Sequence, residues 1–409
     1  MEILLRILTV ILILVMVLGV VLFINFLFNS SSEHNAQEMI EYIDEFKRAG
    51  VSARHPAPQK DENGNWYFVT DEDFKVLHLT DIHIVGSASS VESDKKAINA
   101  VAAMVEAEDP DLVIITGDMT YAIPTLGTID NGHAHSFFIR LMENLDVYWT
   151  VTFGNHDDEP YNTYRRDTVA TFYQAEGLER CLFMESPEGV SGNGNHVINI
   201  KNSAGEVTQS LFMIDSHSYI RKDMIGGIID SLSWNYDNIK QDQVDWYESM
   251  IEEYQPKSSL LFFHIPLMEV KTAYDEYVAN GRQNTENVTF VGGHDGEEDE
   301  VVYCSRLEEQ LFEKALELGN TKAMFFGHDH FNNFIIDYKG VMLSYGYSVD
   351  YIAYGDIGNK GYQRGCVVIN ISPDGSFDSG DIVHENYYQD KYQPLYEKEV
   401  VDMYPYFDK

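Results

Sequence analysis

Residues 325–334 of this 409-residue chain read FFGHDHFNNF, with His328 and His330 directly behind two phenylalanines. Histidines placed where an apolar strand runs out belong either to a surface turn or to a metal site. A metal site needs further donors, and these must come from the ends of other strands. The chain supplies them. FKVLHLT (74–80) runs into Asp81 and His83, and DLVIITGD (111–118) ends on Asp118. VYWTVTFGN (147–155) ends on Asn155, with His156 and Asp157 next, and SLLFFHIP (259–266) carries His264. In open α/β sheets functional groups gather beyond the carboxyl ends of the strands. Apolar strands that each deliver ligand-type residues there describe one shared site.

The donor set restricts the chemistry. Clustered buried carboxylates are costly unless a cation compensates them. Mixed imidazole and carboxylate donors suit Zn, Mn or Fe rather than Ca or Mg. The donors outnumber what one ion with open positions uses. They suit two divalent ions about 3.5–4 Å apart that share a carboxylate. Such a pair turns a water held between the ions into a hydroxide nucleophile and clamps a phosphoryl oxygen, the machinery of phosphate ester hydrolysis. Gly117, Gly154 and Gly327 stand before the donors and are expected to let the backbone turn sharply there.

The ordered set D-x-H, G-D, G-N-H-D, H, G-H-x-H resembles that of the calcineurin-like metallophosphoesterase superfamily, over roughly residues 70–372. The wider stretches GNHDDE, FFHIPL and GHDHFNN are similar to a branch related to the purple acid phosphatases, as are WNYDNIKQDQVDWYESMI and SRLEEQLFEKALELGNTKAMFFGHDH. The resemblance implies a four-layer α/β/β/α sandwich of two mixed β-sheets. It implies that Asp81, His83, Asp118 and His330 hold one metal, with Asp118 bridging. Asn155, His264 and His328 complete the second, and His156 protonates the leaving oxygen. The truly purple enzymes use a tyrosine ligand and lack the histidine of D-x-H. This chain has Tyr121 in GDMTY but also His83. His83 is the expected donor, so no charge-transfer colour is expected.

Elements must hold these groups in place. Strands alternating with helices argue for an α/β layered fold. VESDKKAINAVAAMVEAEDP carries Ile98, Val101, Ala102 and Val105 on one helical face. SLFMIDS (210–216) is a further strand, and helices are expected at QVDWYESMIEEYQ and over 306–319. NFIIDYKGVMLSYG and GCVVINISPDGSF read as hairpins.

The N-terminus is different in kind. Residues 7–28, ILTVILILVMVLGVVLFINFLF, form a charge-free run of membrane-spanning length, longer than the apolar part of a cleaved signal peptide. Arg6 precedes it and acidic residues follow, which predicts an anchor with the rest of the chain outside the cytoplasm, with secretion after cleavage as the alternative. The expected division is an anchor at 1–28, a linker at 29–65, a catalytic domain at 66–385 and a tail at 386–409.

Charge narrows the partners. With 66 acidic and 28 basic residues the formal net charge is −38, which repels polyanions and argues against nucleic acid. A small phosphoester, mono- or diester, is the expected substrate. Three cysteines exclude a disulfide framework in a chain of this size. A membrane-tethered protein that binds metal or phospho-ligands without catalysis is the competing reading. His156 beside a complete donor set favours the enzyme.

Other polar residues have their own expected places. Asp157 is expected either to orient His156 or to face solvent. His217 lies at the end of the 210–216 strand, in the cleft or in a bonded loop. His133 and His135 are expected on the exposed start of a helix. His294 falls in a polar insertion, His78 in the core, and Arg364 in a structural ion pair rather than against phosphate.

Overall fold

The computed structural model describes residues 2–46, 55–297, 301–355, 357 and 364–384. Two mixed sheets form among them. The smaller has the order β14-β13-β3-β4-β5, from β3 (Phe74–Leu79), β4 (Leu112–Thr116), β5 (Trp149–Thr152), β13 (Gly365–Ile371) and β14 (Phe377–His384). Its centre, β3 to β5, is parallel, and β13 and β14 add antiparallel. The larger runs β1-β2-β6-β7-β8-β10-β12-β11-β9. These are β1 (Gln59–Lys60), β2 (Trp66–Val69), β6 (His196–Lys201), β7 (Val207–Met213), β8 (Ser258–Phe262), β9 (Val288–Gly292), β10 (Thr321–Phe326), β11 (Ile335–Tyr338) and β12 (Val341–Tyr345). Its centre, β7, β8, β10 and β12, is parallel.

The inner layer of core explains why the sheets face each other. Phe74, Val76, Leu112 and Ile114 of the small sheet pack with Leu211, Leu260, Phe262 and Phe325 of the large one. The central strands are buried on both faces and so read as nearly continuous apolar runs. Outside the small sheet lie α2 (Val91–Glu108), α3 (Gly132–Asn144) and α4 (Arg166–Phe172). Outside the large sheet lie α6 (Gln241–Tyr254), α7 (Met268–Ala279) and α8 (Leu311–Leu318). This is the expected four-layer α/β/β/α order, and the two expected hairpins are β11–β12 and β13–β14. The sheets are stitched where they meet: Thr80, after β3, bridges Ser348, after β12.

The first helix, α1 (Glu2–Ile43), runs through the apolar segment and well into the stretch expected as a linker. Residues 6–23 are long and apolar enough to cross a membrane, and none of that stretch is buried against the rest of the chain. Further on, Ala36, Met39, Ile43 and Phe46 are buried against α2 and α3. Their spacing of three and four makes one helical stripe. Arg140 of α3 clamps Asp44 through two 2.7 Å hydrogen bonds. Residues 36–46 therefore belong to the packed unit and are not a free linker. The expected tail 386–409 lies outside the described residues.

Candidate metal centre

Every candidate donor sits just past a parallel strand. Asp81 and His83 follow β3, Asp118 follows β4, Asn155 and His156 follow β5, His264 follows β8, and His328 and His330 follow β10. The loops after β3 and β4 are bonded to each other: Asp81 N donates to Gly117 O at 3.2 Å, and His83 N to Asp118 O at 3.0 Å. Turning the side chains inward requires left-handed backbone at Asp81, His83, Asp118 and His328, with φ between 51° and 77°.

Two overlapping groups result. Asp81, His83, Asp118 and His330 bring donor atoms within 4.8 Å of one another, and Asp118, His264 and His328 do the same. Asp118 is common to both. His264 Nε2 lies 3.1 Å from Asp118 Oδ2, and His83 Nε2 3.5 Å from the same oxygen. His330 Nε2 lies 3.5 Å from Asp81 Oδ1. The His264 ring is fixed from behind, its Nδ1 2.7 Å from Thr116 O, so Nε2 faces the cluster. His330 is held the same way, with Nδ1 3.0 Å from Ser348 Oγ.

The fit to metal ions rests on unsatisfied atoms. His83 Nε2, Asp118 Oδ2, Asn155 Oδ1 and His264 Nε2 are all buried without a hydrogen-bond partner. Such atoms ordinarily find partners, and these four are a borderline-metal donor set. Asn155 keeps its oxygen free by spending its amide on Tyr219 Oη at 3.3 Å. Burial works against a charged His264 ring, yet Asp118 raises it to about 9. Burial opposes the Asp118 carboxylate, but the His264 and His156 rings hold it well below its usual range. Burial pushes Asp81 up to about 6. Burial and the neighbouring His264 and His83 rings drive His328 and His330 well below the ordinary imidazole value, keeping both neutral.

His156 stands apart from both groups. Its ring reaches the wall of a cavity of about 120 Å³ shared with His328, His330, Trp234, Tyr236 and Tyr354. Its backbone N–H donates to Asp118 Oδ1 at 2.8 Å, and its Nδ1 lies 2.6 Å from Glu159 Oε1. Burial works against its charged form, yet Asp118 and Glu159 raise it to about 9.

Glu159, not Asp157, is thus the partner of His156. Asp157 neither orients that ring nor faces solvent. Fully buried, it accepts from Asp118 N at 2.9 Å, Gly154 N at 2.8 Å and Thr120 N at 3.0 Å, tying the β4 and β5 loops together. His135 is a second correction. It is buried, with Nδ1 2.9 Å from Tyr173 Oη and Nε2 3.1 Å from Asp157 O, because the Asp157 loop covers the start of α3. His217 bonds Gln243 Oε1 at 2.9 Å and lines a separate cavity with Arg166, Arg221 and Lys222. Arg364 is buried on Asp350 O and over the Tyr351 ring, a structural role. His78 is a core residue bonded to Thr116 Oγ1 at 2.8 Å. Tyr121 stacks flat on His83 with 4.8 Å between ring centroids.

The glycines also divide. Gly117 does need positive φ, at 84°, but Gly154 and Gly327 are there for space. A Cβ on Gly154 would lie 2.1 Å from Asp118 Oδ1, and one on Gly327 2.4 Å from Asp81 Oδ2. Two polar groups behind the cluster follow β12: Ser348, already mentioned, and Asp350, 3.5 Å from His330 Nδ1.

The sequence model of the calcineurin-like phosphoesterase family matches residues 74–332, most of the chain. The chain belongs to that family. Among its relatives, "Probable inactive purple acid phosphatase 28" of Arabidopsis thaliana is 26% identical over 321 residues, covering 70% of this chain and 73% of the relative. "Phosphatase DCR2" of Saccharomyces cerevisiae is 27% identical, covering 58% of this chain and 46% of that protein. A dimetal phosphatase structure from Danio rerio superposes with a TM-score of 0.44 at 11% identity, covering 78% of this chain and all of that one. As a calcineurin-like phosphoesterase, the chain has a buried Asp/His cluster that fits two divalent metals.

Proposed function

We propose that this protein is a metal-dependent phosphoric ester hydrolase that uses two divalent ions of the Mn, Fe or Zn type. Asp81, His83, Asp118 and His330 would hold one ion. Asp118, Asn155, His264 and His328 would hold the other. The observation that carries this reading is the set of buried, unpartnered donor atoms on His83, Asp118, Asn155 and His264. Bound ions of this type supply Lewis-acid charge at phosphorus and acidify water, so no side-chain nucleophile is required.

The chain's own residues supply the rest. Glu159 accepts from the Nδ1–H of His156 and fixes the ring, which leaves the Nε2 proton for the departing oxygen. Tyr219 steadies this pair, donating to the Glu159 carboxylate at 3.1 Å while receiving the Asn155 amide. The helix α1 would anchor the protein, with the phosphoesterase unit outside the cytoplasm.

Relatives named as probable inactive enzymes support a second reading, a binding protein without turnover. The test is elemental analysis of the protein after reconstitution, followed by a panel of phosphomonoesters and diesters. Two ions per chain with hydrolysis that chelation abolishes is the expected result. Two ions with no hydrolysis of any ester would favour the binding protein, and no bound ion would refute the enzyme.

A further inference from the structure

One short helix is built inside out. Helix α5 (Met224–Leu232) buries Gly226, Gly227 and Asp230 and turns its large apolar residues to solvent. Ile225 is 72% exposed, Leu232 77% and Met224 58%, and Ile220, Ile229 and Trp234 extend the face. A helix at a protein surface normally does the reverse. The buried side is specific. A Cβ on Gly227 would fall 2.5 Å from the Pro160 ring, so the glycine lets the helix lie close. Asp230 accepts from Arg221 N at 2.8 Å and pairs with its guanidinium at 2.9 Å. Asp223 caps the helix by accepting from Gly226 N at 2.9 Å. The fold thus fixes this helix with its apolar face outward, and a contiguous exposed apolar face of this kind marks an interaction surface.

We propose that α5 docks on a lipid bilayer, lowering its outward face into the boundary between headgroups and acyl chains. Two observations favour a membrane over another partner. The same chain carries the apolar helical stretch 6–23, long enough to span a bilayer. A chain held at the bilayer by that stretch meets lipid without diffusing to it, so weak docking suffices. The chemistry of the face also fits: branched and sulfur-containing aliphatic residues, an adjoining tryptophan, and Arg221 and Lys222 at the entering edge. The net charge of −38 opposes an anionic surface, so the apolar face must supply the binding, and a phosphatidylcholine surface is the one that fits.

The docked helix would bear on the metal centre. The segment closes on itself at its base, where Tyr219 bridges Tyr236. Tyr219 contacts Asn155, the Tyr236 ring lies 4.5 Å from that of His328, and Trp234 lines the cavity reached by His156. Docking would bring that cavity beside the headgroup layer.

The test uses the full chain carrying Leu232→Trp, reconstituted in phosphatidylcholine vesicles with and without brominated acyl chains. Its readout does not depend on metal or turnover. The introduced indole should be quenched by the brominated lipid. Adding Met224→Ser and Ile225→Ser should lower the docked-to-free ratio by about tenfold or more for each side chain. Both positions are exposed, so the fold should survive. Exchange of part of the lipid for phosphatidylserine should weaken quenching, and added salt should restore it. No quenching, or quenching unchanged by the serine substitutions, would overturn the proposal. Shielding of the indole that brominated lipid does not quench, and that grows with protein density, would overturn it in favour of a second copy of the chain.

Discussion

Gly154→Ala isolates the geometry of the centre from its chemistry. The substitution adds one methyl, removes no donor and needs no unusual backbone, since Gly154 is not among the glycines with positive φ. Yet that methyl would stand 2.1 Å from Asp118 Oδ1 and 2.5 Å from Asp118 N. Ordinary contact distances are about 3.5 Å, so carboxylate and methyl must separate by more than about 1 Å. Metal–oxygen distances tolerate only about 0.2 Å. Asp118 belongs to both donor groups, so both ions should loosen together. A misplacement of that size costs on the order of 10²-fold in rate. The assay is metal content by elemental analysis beside hydrolysis of a nitrophenyl phosphate ester, with Asp118→Asn as the reference for full damage. If Gly154→Ala kept two ions and the parent rate, the carboxylate would not be a shared ligand at the position argued above.

Three other outcomes follow from the same contacts. His156→Ala should lower kcat by roughly 10²–10⁴-fold with metal content intact. The loss should be greater for alkyl esters than for nitrophenyl esters, and an equal loss would assign His156 to phosphate binding instead. Arg166→Met should destabilise the fold by about 3–5 kcal/mol in denaturant titration, because it strands buried Asp158 and Asp215, the latter 2.6 Å from the guanidinium; a change below about 1 kcal/mol would refute that estimate. The full-length protein should partition with membranes and resist alkaline extraction, and recovery in the soluble fraction with an intact N-terminus would rule out anchoring by α1.

The donors were legible because their signal is local: an apolar strand followed within a few positions by Asp, Asn or His. The same rule applied after β12 would have found Asp350, but VMLSYG reads as a hairpin arm and hides it, and a serine such as Ser348 falls outside the rule. Glu159 was missed for another reason. It meets His156 across a turn three residues on, and a carboxylate in DDEP looks like any solvated acid. The exposure of His135 was misjudged because helix starts are usually open, and only tertiary structure lays the Asp157 loop over this one. Residues 36–46 pass for a linker because Glu38, Glu41 and Asp44 mask the stripe of Ala36, Met39, Ile43 and Phe46. The inversion of α5 is invisible to periodicity, which finds the stripe but not which way it faces.

The left-handed backbone at Asp81, His83, Asp118 and His328 also sets how this protein can change over generations. Each such residue costs about 1–2 kcal/mol relative to ordinary geometry, and glycine at the same positions would relieve that cost. Laboratory evolution that rewards only heat tolerance or expression should therefore drift toward losing these residues, discarding the centre while improving the scaffold around it.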